Sequence, residues 1–291
     1  MKILNEPKMK RILLTEHNFD PETPIRLNKA GFEVFIPKQE IPNVHEFDRT
    51  ALVETIKNVQ PDVLLTGFKF QIDEEILSLA PIKAVFTRTT NITDHIDYEY
   101  CKEKGVEIIN LKGEDLEDVT AVAEACLGAM IQLSRLDSPG NEIRGKTLGL
   151  WGYGRIARHL EKYAKVHEME VIHFDPKYFQ TSFLLEKLLK YSDYISIHIS
   201  STPDNKGAVN YSHFKYMEKK PYLLNSARHW ITEDVKKALD EGLIKGYWTD
   251  LPIEFSHPRA IVWKHSGVTK ESALKTESIV VNNILKWQQK S

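Results

Sequence analysis

A chain of 291 residues, 42% hydrophobic and 27% charged, can bury two separate cores and lies outside the composition of disordered chains. Its net charge of −2 supplies no basic field to draw nucleic acid or an anionic membrane, so neither partner is expected. Two cysteines, Cys101 and Cys126, are too few for a disulfide framework or a tetrahedral zinc site; each is expected as a small buried residue, and no metal is expected.

The opening MKILNEPKMKRILL is too charged for a secretory leader, and no apolar stretch has the length of a membrane span, so the expected address is cytoplasmic. Residues 1–8 precede the first strand and are expected to be an extension. Residues 10–15 (KRILLT) read as a strand, followed by a helix over 21–30, a strand over 33–36 and a helix over 49–58. Strands follow at 62–66 (DVLLT), 84–87 and 106–110, separated by helical stretches at 73–79 and 97–104. Short β-branched runs alternating with helices imply a parallel sheet covered on both faces. The longest helical pattern of the first half, 116–136, is apolar on most sides (AVAEACLGAMIQL), which predicts burial between layers. Residues 137–145 (DSPGNEIRG) have the Pro, Gly and Asn of a connection. A second series then begins: strand 147–151, helix 155–167, strand 170–174, helix 182–190, strand 194–199 and strand 222–225. It continues with a helix over 232–240, strands at 246–248 and 260–263, and a final helix over 271–288.

The strand at 147–151 runs into Gly152-Tyr-Gly154-Arg155-Ile156-Ala157, a G-x-G-x-x-A pattern at a helix start. The first glycine permits a tight turn, the second lets backbone approach a pyrophosphate, and the third small residue lets helix and strand pack closely. Helix N-terminal amides then face the anion. The next strand ends in Asp175, where an acid bonds the adenosine ribose hydroxyls and repels a 2′-phosphate. NAD(H) is therefore expected over NADP(H), although Lys177 softens that preference.

From Lys146 onward the chain resembles the D-isomer-specific 2-hydroxyacid dehydrogenases, and the resemblance extends over nearly its whole length. The carrying segments are KTLGLWGYGRIARHLEKYAKVHEMEVIHFDP, YSDYISIHISSTPDNKGAVNYSHFKYMEKKPYLLNSAR, GYWTD and KHSGVT, with KAVFTRTTNITDHIDYEYCKEKGVEIIN and EDLEDVTAVAEACLGAMIQLSR similar upstream. The resemblance implies an α/β chain of two domains, each a parallel sheet flanked by helices. A Rossmann cofactor domain over 116–270 would be inserted in a flavodoxin-like substrate domain of residues 1–115 and 271–291. It also implies NAD-dependent interconversion of a small 2-hydroxy acid and its 2-oxo acid, and a homodimer through the cofactor domain.

Residue by residue, it implies that Gly152, Gly154, Arg155, Ile156, Asp175, His198, Thr202, Ser226 and Ala227 face the cofactor, and that Asp250 contacts the nicotinamide amide. Arg228 falls at the substrate arginine and His265 at the catalytic histidine. An arginine binds a carboxylate bidentately without losing its charge, and a histidine titrates near working pH, so both suit hydride transfer coupled to a proton. The family's glutamate partner of the histidine falls on Phe255, one residue from Glu254; a one-residue deletion would restore Glu254 to that role, the bland alternative being a solvated loop acid.

The carboxylate loop, glycine-rich in the family, reads TTNITD from Thr89, leaving Thr90 and neighbouring backbone, with Gly67 of LLTGFKF, as the expected substrate-binding elements. His229 and Trp230 stand where the family has paired glycines, and Lys264 stands where it has proline. Arg88 reads either as an anion-recognising group or as half of a structural salt bridge. These departures keep open a catalytically weak NADH-binding regulator on the same fold. A different Rossmann enzyme would need a tyrosine and lysine one helical turn apart, a spacing that Tyr216 and Lys220 have.

Overall fold

The computed structural model describes residues 9–16, 20–36, 48–178, 182–228, 231–264 and 267–290. The chain divides into one unit of Met1–Leu116 with Lys270–Ser291 and a second of Glu117–Thr269.

In the first unit the elements alternate as β1 (Lys10–Leu14), α1 (Glu22–Lys29), β2 (Phe32–Phe35), α2 (Arg49–Val59), β3 (Val63–Thr66), α3 (Glu74–Ser78), β4 (Ala84–Thr87), α4 (Tyr98–Lys104) and β5 (Glu107–Ile109). All strand pairs are parallel, in the order β2-β1-β3-β4-β5. Every residue of β3 and β4 is buried, as helices on both faces require. The side chains of Asp48, Asp73 and Asp97 accept the N–H groups of Ala51, Ile76 and Tyr100, satisfying amides that each helix start leaves open. The C-terminal helix, Lys270–Lys290, belongs to this unit. Its Glu277, fully buried, pairs with the Arg88 guanidinium just beyond β4 and accepts the Thr23 hydroxyl of α1 at 3.1 Å. Arg88 thus takes the salt-bridge reading.

The second unit contains α5 (Ala121–Leu133), β6 (Thr147–Trp151), α6 (Arg155–Val166), β7 (Glu170–Phe174), α7 (Ser182–Tyr191), β8 (Tyr194–Ile197), α8 (Tyr211–Phe214), β9 (Tyr222–Asn225), α9 (Val235–Asp240), β10 (Gly246–Thr249) and β11 (Ala260–Val262). Its sheet is also wholly parallel, in the order β11-β10-β9-β8-β6-β7. One face is covered by Cys126, Ala129, Met130, Leu133, Ala157 and Leu160. The opposite face is covered by a second cluster that includes Leu188, Leu189, Phe214 and Val235. With the Lys270–Lys290 helix as α10, the two parallel sheets flanked by helices match the expected fold class. Cys101 and Cys126 are both buried and free, as expected.

Three expectations need correction. The helix read over 116–136 covers only Ala121–Leu133. Its first turns are lost because the Val119 carbonyl accepts the Arg155 guanidinium and the Glu117 carbonyl meets His159 Nε2 at 2.6 Å. The helix read from 232 starts at Val235, since Thr232 instead forms a parallel bridge with Val209. Tyr216 and Lys220 share no helix: α8 ends at Phe214, and Lys220 has φ 50°, so helical-turn spacing does not relate them. Helix α8 was not foreseen; Asn210 starts it with a capping box closed by His213. Residues 1–8, the expected extension, lie outside the described residues.

Candidate active site

In the second unit the expected cofactor residues gather along one edge of the sheet, because parallel strands place their carboxyl ends together. Gly152 follows β6, Asp175 follows β7, His198 follows β8, Ser226 follows β9 and Asp250 follows β10. The strand order reverses between β6 and β8, the switch point at which open α/β sheets bind ligands.

Gly152 is pinned there. Its N–H donates to the Phe174 carbonyl at 2.7 Å, and the His198 N–H donates to the Trp151 carbonyl at 2.7 Å. With φ at 94°, a Cβ on Gly152 would stand 2.6 Å from the His198 carbonyl carbon, so only glycine fits. Gly154 differs: it caps α6 in extended conformation, and a Cβ there would meet nothing within 4 Å. That open space lies at the start of a 12-residue helix, the geometry of an anion cradle. Ala157 is fully buried and Ile156 packs beside it in the same core. Burial draws the Arg155 guanidinium below its ordinary range; since that group is spent on Val119, what Arg155 offers an anion is its backbone.

Asp175 accepts the Tyr153 N–H at 2.8 Å through Oδ2 and the Lys177 N–H at 2.9 Å through Oδ1. The acid is thereby tied to the glycine turn. Tyr153 stacks on His173 with centroids 4.1 Å apart, and its hydroxyl donates to Glu161, which pushes the phenol up to about 12.

At the β8 and β9 ends, His198 joins two strands. Its Nε2 lies 2.8 Å from Ser196 Oγ and its Nδ1 lies 3.3 Å from Ser226 Oγ. Burial lowers its pKa to about 4, so the ring is neutral at physiological pH. Thr202 precedes a short 3-10 turn, Pro203–Asn205. Cys126 hydrogen bonds to both Ser226 and Ser196, yet burial pushes its thiol up to about 12, which keeps it protonated and unreactive.

Arg228 is half-buried, and its Nη1 donates to the Ala227 carbonyl at 2.9 Å. The turn presenting it is built by Asn225, a residue the sequence reading passed over. The fully buried Asn225 amide accepts the Ala227 N–H at 2.9 Å and donates to the Arg228 carbonyl at 2.8 Å. It also reaches Thr232 Oγ1 at 3.2 Å and the Tyr247 hydroxyl at 3.3 Å. The available signal was the asparagine inside LLNSAR, a residue type that hydrogen bonds nearby backbone.

Asp250 is 9% exposed, and a Cβ on Gly267 would approach its Oδ2 to 3.2 Å. Beyond β10 the chain alternates: Glu254 is exposed, whereas Phe255 packs inward with its ring 6.5 Å from that of Tyr247. His265, His229 and Trp230 lie outside the described residues.

In the first unit the glycine-free loop is held by side chains. Thr89 is buried; its hydroxyl donates to the Asn91 carbonyl at 2.7 Å and lies 3.0 Å from Thr87 Oγ1, which meets His95 Nε2 at 2.9 Å. Thr90 is exposed, and its carbonyl accepts Asn110 Nδ2 at 2.7 Å. Gly67 is buried, and its N–H donates to Glu16 Oε1 at 2.9 Å. Among the described residues no group of three or more His, Cys, Asp or Glu is placed to hold a metal, and no helix is long and apolar enough to cross a membrane.

Comparison with known proteins agrees with this arrangement. Residues 124–270 match the family described as D-isomer specific 2-hydroxyacid dehydrogenase, NAD binding domain. Over 244 residues the chain is 30% identical to the glyoxylate reductase of Thermofilum pendens, covering 70% of each chain. It is 26% identical over 242 residues to the hydroxypyruvate reductase of Thermotoga maritima, covering 76% of this chain and 77% of the relative. Its fold is similar to that of the NAD+-bound 3-phosphoglycerate dehydrogenase of Entamoeba histolytica, with a TM-score of 0.79, 23% identity, and 96% of this chain and 95% of that chain covered. A glycine turn at the switch point of a parallel sheet, with an acid tied to it from the end of the next strand, is thus accompanied by a family match over that same sheet, and the chain belongs to the D-isomer-specific 2-hydroxyacid dehydrogenases as an NAD-dependent oxidoreductase.

Proposed function

We propose that the protein interconverts a small 2-oxo acid and its D-2-hydroxy acid, with Arg228 binding the substrate carboxylate and His265 moving the proton. The observation that carries the reading is the Asn225-built turn, which holds the Arg228 backbone at the same sheet edge as Gly152 and Asp175. The open space at Gly154 and the neutral His198 ring fit a dinucleotide, whose pyrophosphate would meet the α6 amides and whose ribose would meet Asp175. NADH, when bound, supplies the hydride to the C2 carbonyl. Arg228 polarises that carbonyl while holding the carboxylate. His265 donates the proton in reduction and accepts it in oxidation. Asp250 is assigned to the nicotinamide amide, and Thr202, Ser226 and Ala227 to the cofactor's borders. Backbone of Thr89 and Thr90 is assigned to the substrate's carboxylate end. Glu254 is assigned to His265 as its orienting acid.

Relatives named as glyoxylate and hydroxypyruvate reductases support two- and three-carbon substrates. The unit of Glu117–Thr269 is assigned as the cofactor domain; we assign dimerisation to that domain and the protein to the cytoplasm. The test follows NADH consumption with glyoxylate and hydroxypyruvate. His265→Ala should lower kcat by about 10²–10⁴-fold, and Arg228→Lys should raise KM and lower kcat together. Tight NADH binding without turnover of any 2-oxo acid would refute the reading in favour of a regulator on this fold.

A further inference from the structure

The described residues on both sides of His265 rest on one helix, α5. The last strand of the second unit, β11, ends at Val262, and the chain then runs through Trp263 and Lys264 to His265 and on to Gly267. Lys264 is exposed, whereas Trp263 is partly buried and packs on the core beneath α5. All of these residues belong to the unit of Glu117–Thr269.

Trp263 is held from several directions. Its backbone N–H donates to the Thr249 carbonyl, at the end of β10, at 2.9 Å. Its indole Nε1 donates to Gln132 Oε1 at 2.9 Å. Its ring meets that of the fully buried Trp248 edge-on, with centroids 5.3 Å apart and planes at 89°. Gln132 lies one helical turn beyond Gly128 on the same face of α5, and a Cβ at Gly128 would stand 3.2 Å from Trp263 Cη2. Glycine is a costly residue inside a helix; at position 128 it gives the indole its room, and Gln132 closes that slot with a hydrogen bond. Past His265, Gly267 lies so close to the same helix that a Cβ there would stand 2.9 Å from Val122 Cγ2, and 3.2 Å from Asp250 Oδ2. The chain is thus fixed at 263 and again at 267, two residues before and two residues after the histidine.

We propose that Trp263 is a positioning residue for the proton step: seated in the slot of Gly128 and Gln132, it fixes the chain that carries His265. This rests on the reading of His265 as the group that moves the proton. A general acid must come within hydrogen-bond reach of the oxygen it protonates, and a displacement of about 1 Å costs on the order of 10²-fold in rate. A loosened seat therefore slows proton transfer. It leaves untouched the nucleotide turn of Gly152 and Gly154, which belongs to β6 and α6.

The experiment compares wild type, His265→Ala, Trp263→Ala, Trp263→Phe, Gly128→Ala and the Gly128→Ala, Trp263→Phe double variant. Reduction of glyoxylate and hydroxypyruvate by NADH is followed in water and in heavy water, with rates referred to the sites that bind NADH. Trp263→Ala should lower kcat about tenfold or more, with KM for the acid and NADH affinity changed less than about threefold. It should also raise the solvent isotope effect on kcat, because a misplaced acid makes proton transfer limit the rate. Trp263→Phe keeps a ring against Trp248 and should stay within about threefold of wild type. Gly128→Ala presses a methyl on the indole and should lower kcat about threefold or more, yet add nothing to Trp263→Phe, whose shorter ring vacates that edge of the slot. Alanine favours the helix, so a slower Gly128→Ala enzyme does not reflect a weaker α5. Equal kcat in wild type and Trp263→Ala overturns the proposal. So does a loss of rate with an unchanged solvent isotope effect, which marks a structural role alone, or a Gly128→Ala effect that persists beside Trp263→Phe. If Trp263→Ala does not fold, Gly128→Ala and the double variant decide on the same readouts. A wild type that reduces no 2-oxo acid, or a His265→Ala variant as fast as wild type, overturns the reading of the site and the proposal together.

Discussion

The two glycines of the nucleotide turn should respond differently to the same substitution. At Gly152, alanine would place a Cβ 2.6 Å from the His198 carbonyl carbon, 2.7 Å from its oxygen and 2.7 Å from the Ile199 nitrogen. These are backbone atoms at the end of a central strand, fixed by the His198 N–H bond to the Trp151 carbonyl, and cannot swing aside. The φ of 94° adds a penalty of about 1–2 kcal/mol for a residue with a Cβ. Overpacking against rigid atoms adds about 1–3 kcal/mol. Gly152→Ala should therefore lose about 2–5 kcal/mol of stability, an amount that lowers the melting temperature by roughly 5–15 °C in a chain of this size. At Gly154 the added Cβ meets nothing within 4 Å, so Gly154→Ala should melt within about 2 °C of wild type. With the pyrophosphate on the α6 amides as proposed, it should nevertheless bind NADH at least about tenfold more weakly, because the methyl would enter the pyrophosphate's space. The assay is scanning calorimetry of each variant, followed by NADH titration by fluorescence. A Gly152→Ala protein that melts with wild type, or a Gly154→Ala protein that binds NADH normally, would refute the geometric reasoning.

Two further outcomes are expected. Glu277→Ala leaves the Arg88 guanidinium, only 5% exposed, without its carboxylate and should cost about 3–5 kcal/mol in urea unfolding; an Arg88→Met, Glu277→Leu double variant should recover most of that loss, and failure to recover any of it would show that the pair is not the cause. His198 has a folded-state pKa of about 4 against an ordinary 6.5, so the unfolded chain binds the extra proton first as pH falls. Its contribution to stability should be complete above about pH 6.5 and decline by on the order of 2 kcal/mol as pH drops towards 4. His198→Gln should flatten that part of the stability–pH curve, and an unchanged slope would contradict a neutral, desolvated ring.

Local pattern carried much of this protein. Mostly apolar runs such as VLLT and AVFT, alternating with helices, point to a sheet covered on both faces, and Gly152, Gly154, Ala157 and Asp175 form a motif whose spacing alone implies a strand, a turn and a helix. Arg228 and Asp250 were legible as members of family segments at strand ends. Other features depend on partners far away in the chain. Arg88 reads as an anion receptor or as half of a salt bridge until Glu277, 189 positions later, is placed beside it. Helix α5 begins late because Arg155 and His159, from another helix, take carbonyls that local periodicity would give to the helix. Tyr216 and Lys220 have helical spacing but no shared helix. The carboxylate of Glu16 and the amides of Gly67 and Lys69 meet across about fifty positions. Periodicity and motif spacing report what each residue's neighbours in the chain require, so they define elements and the turns between them. Which buried charge meets which, and which amide is already taken, follows from packing distant elements together, and in this protein only the tertiary structure decided it.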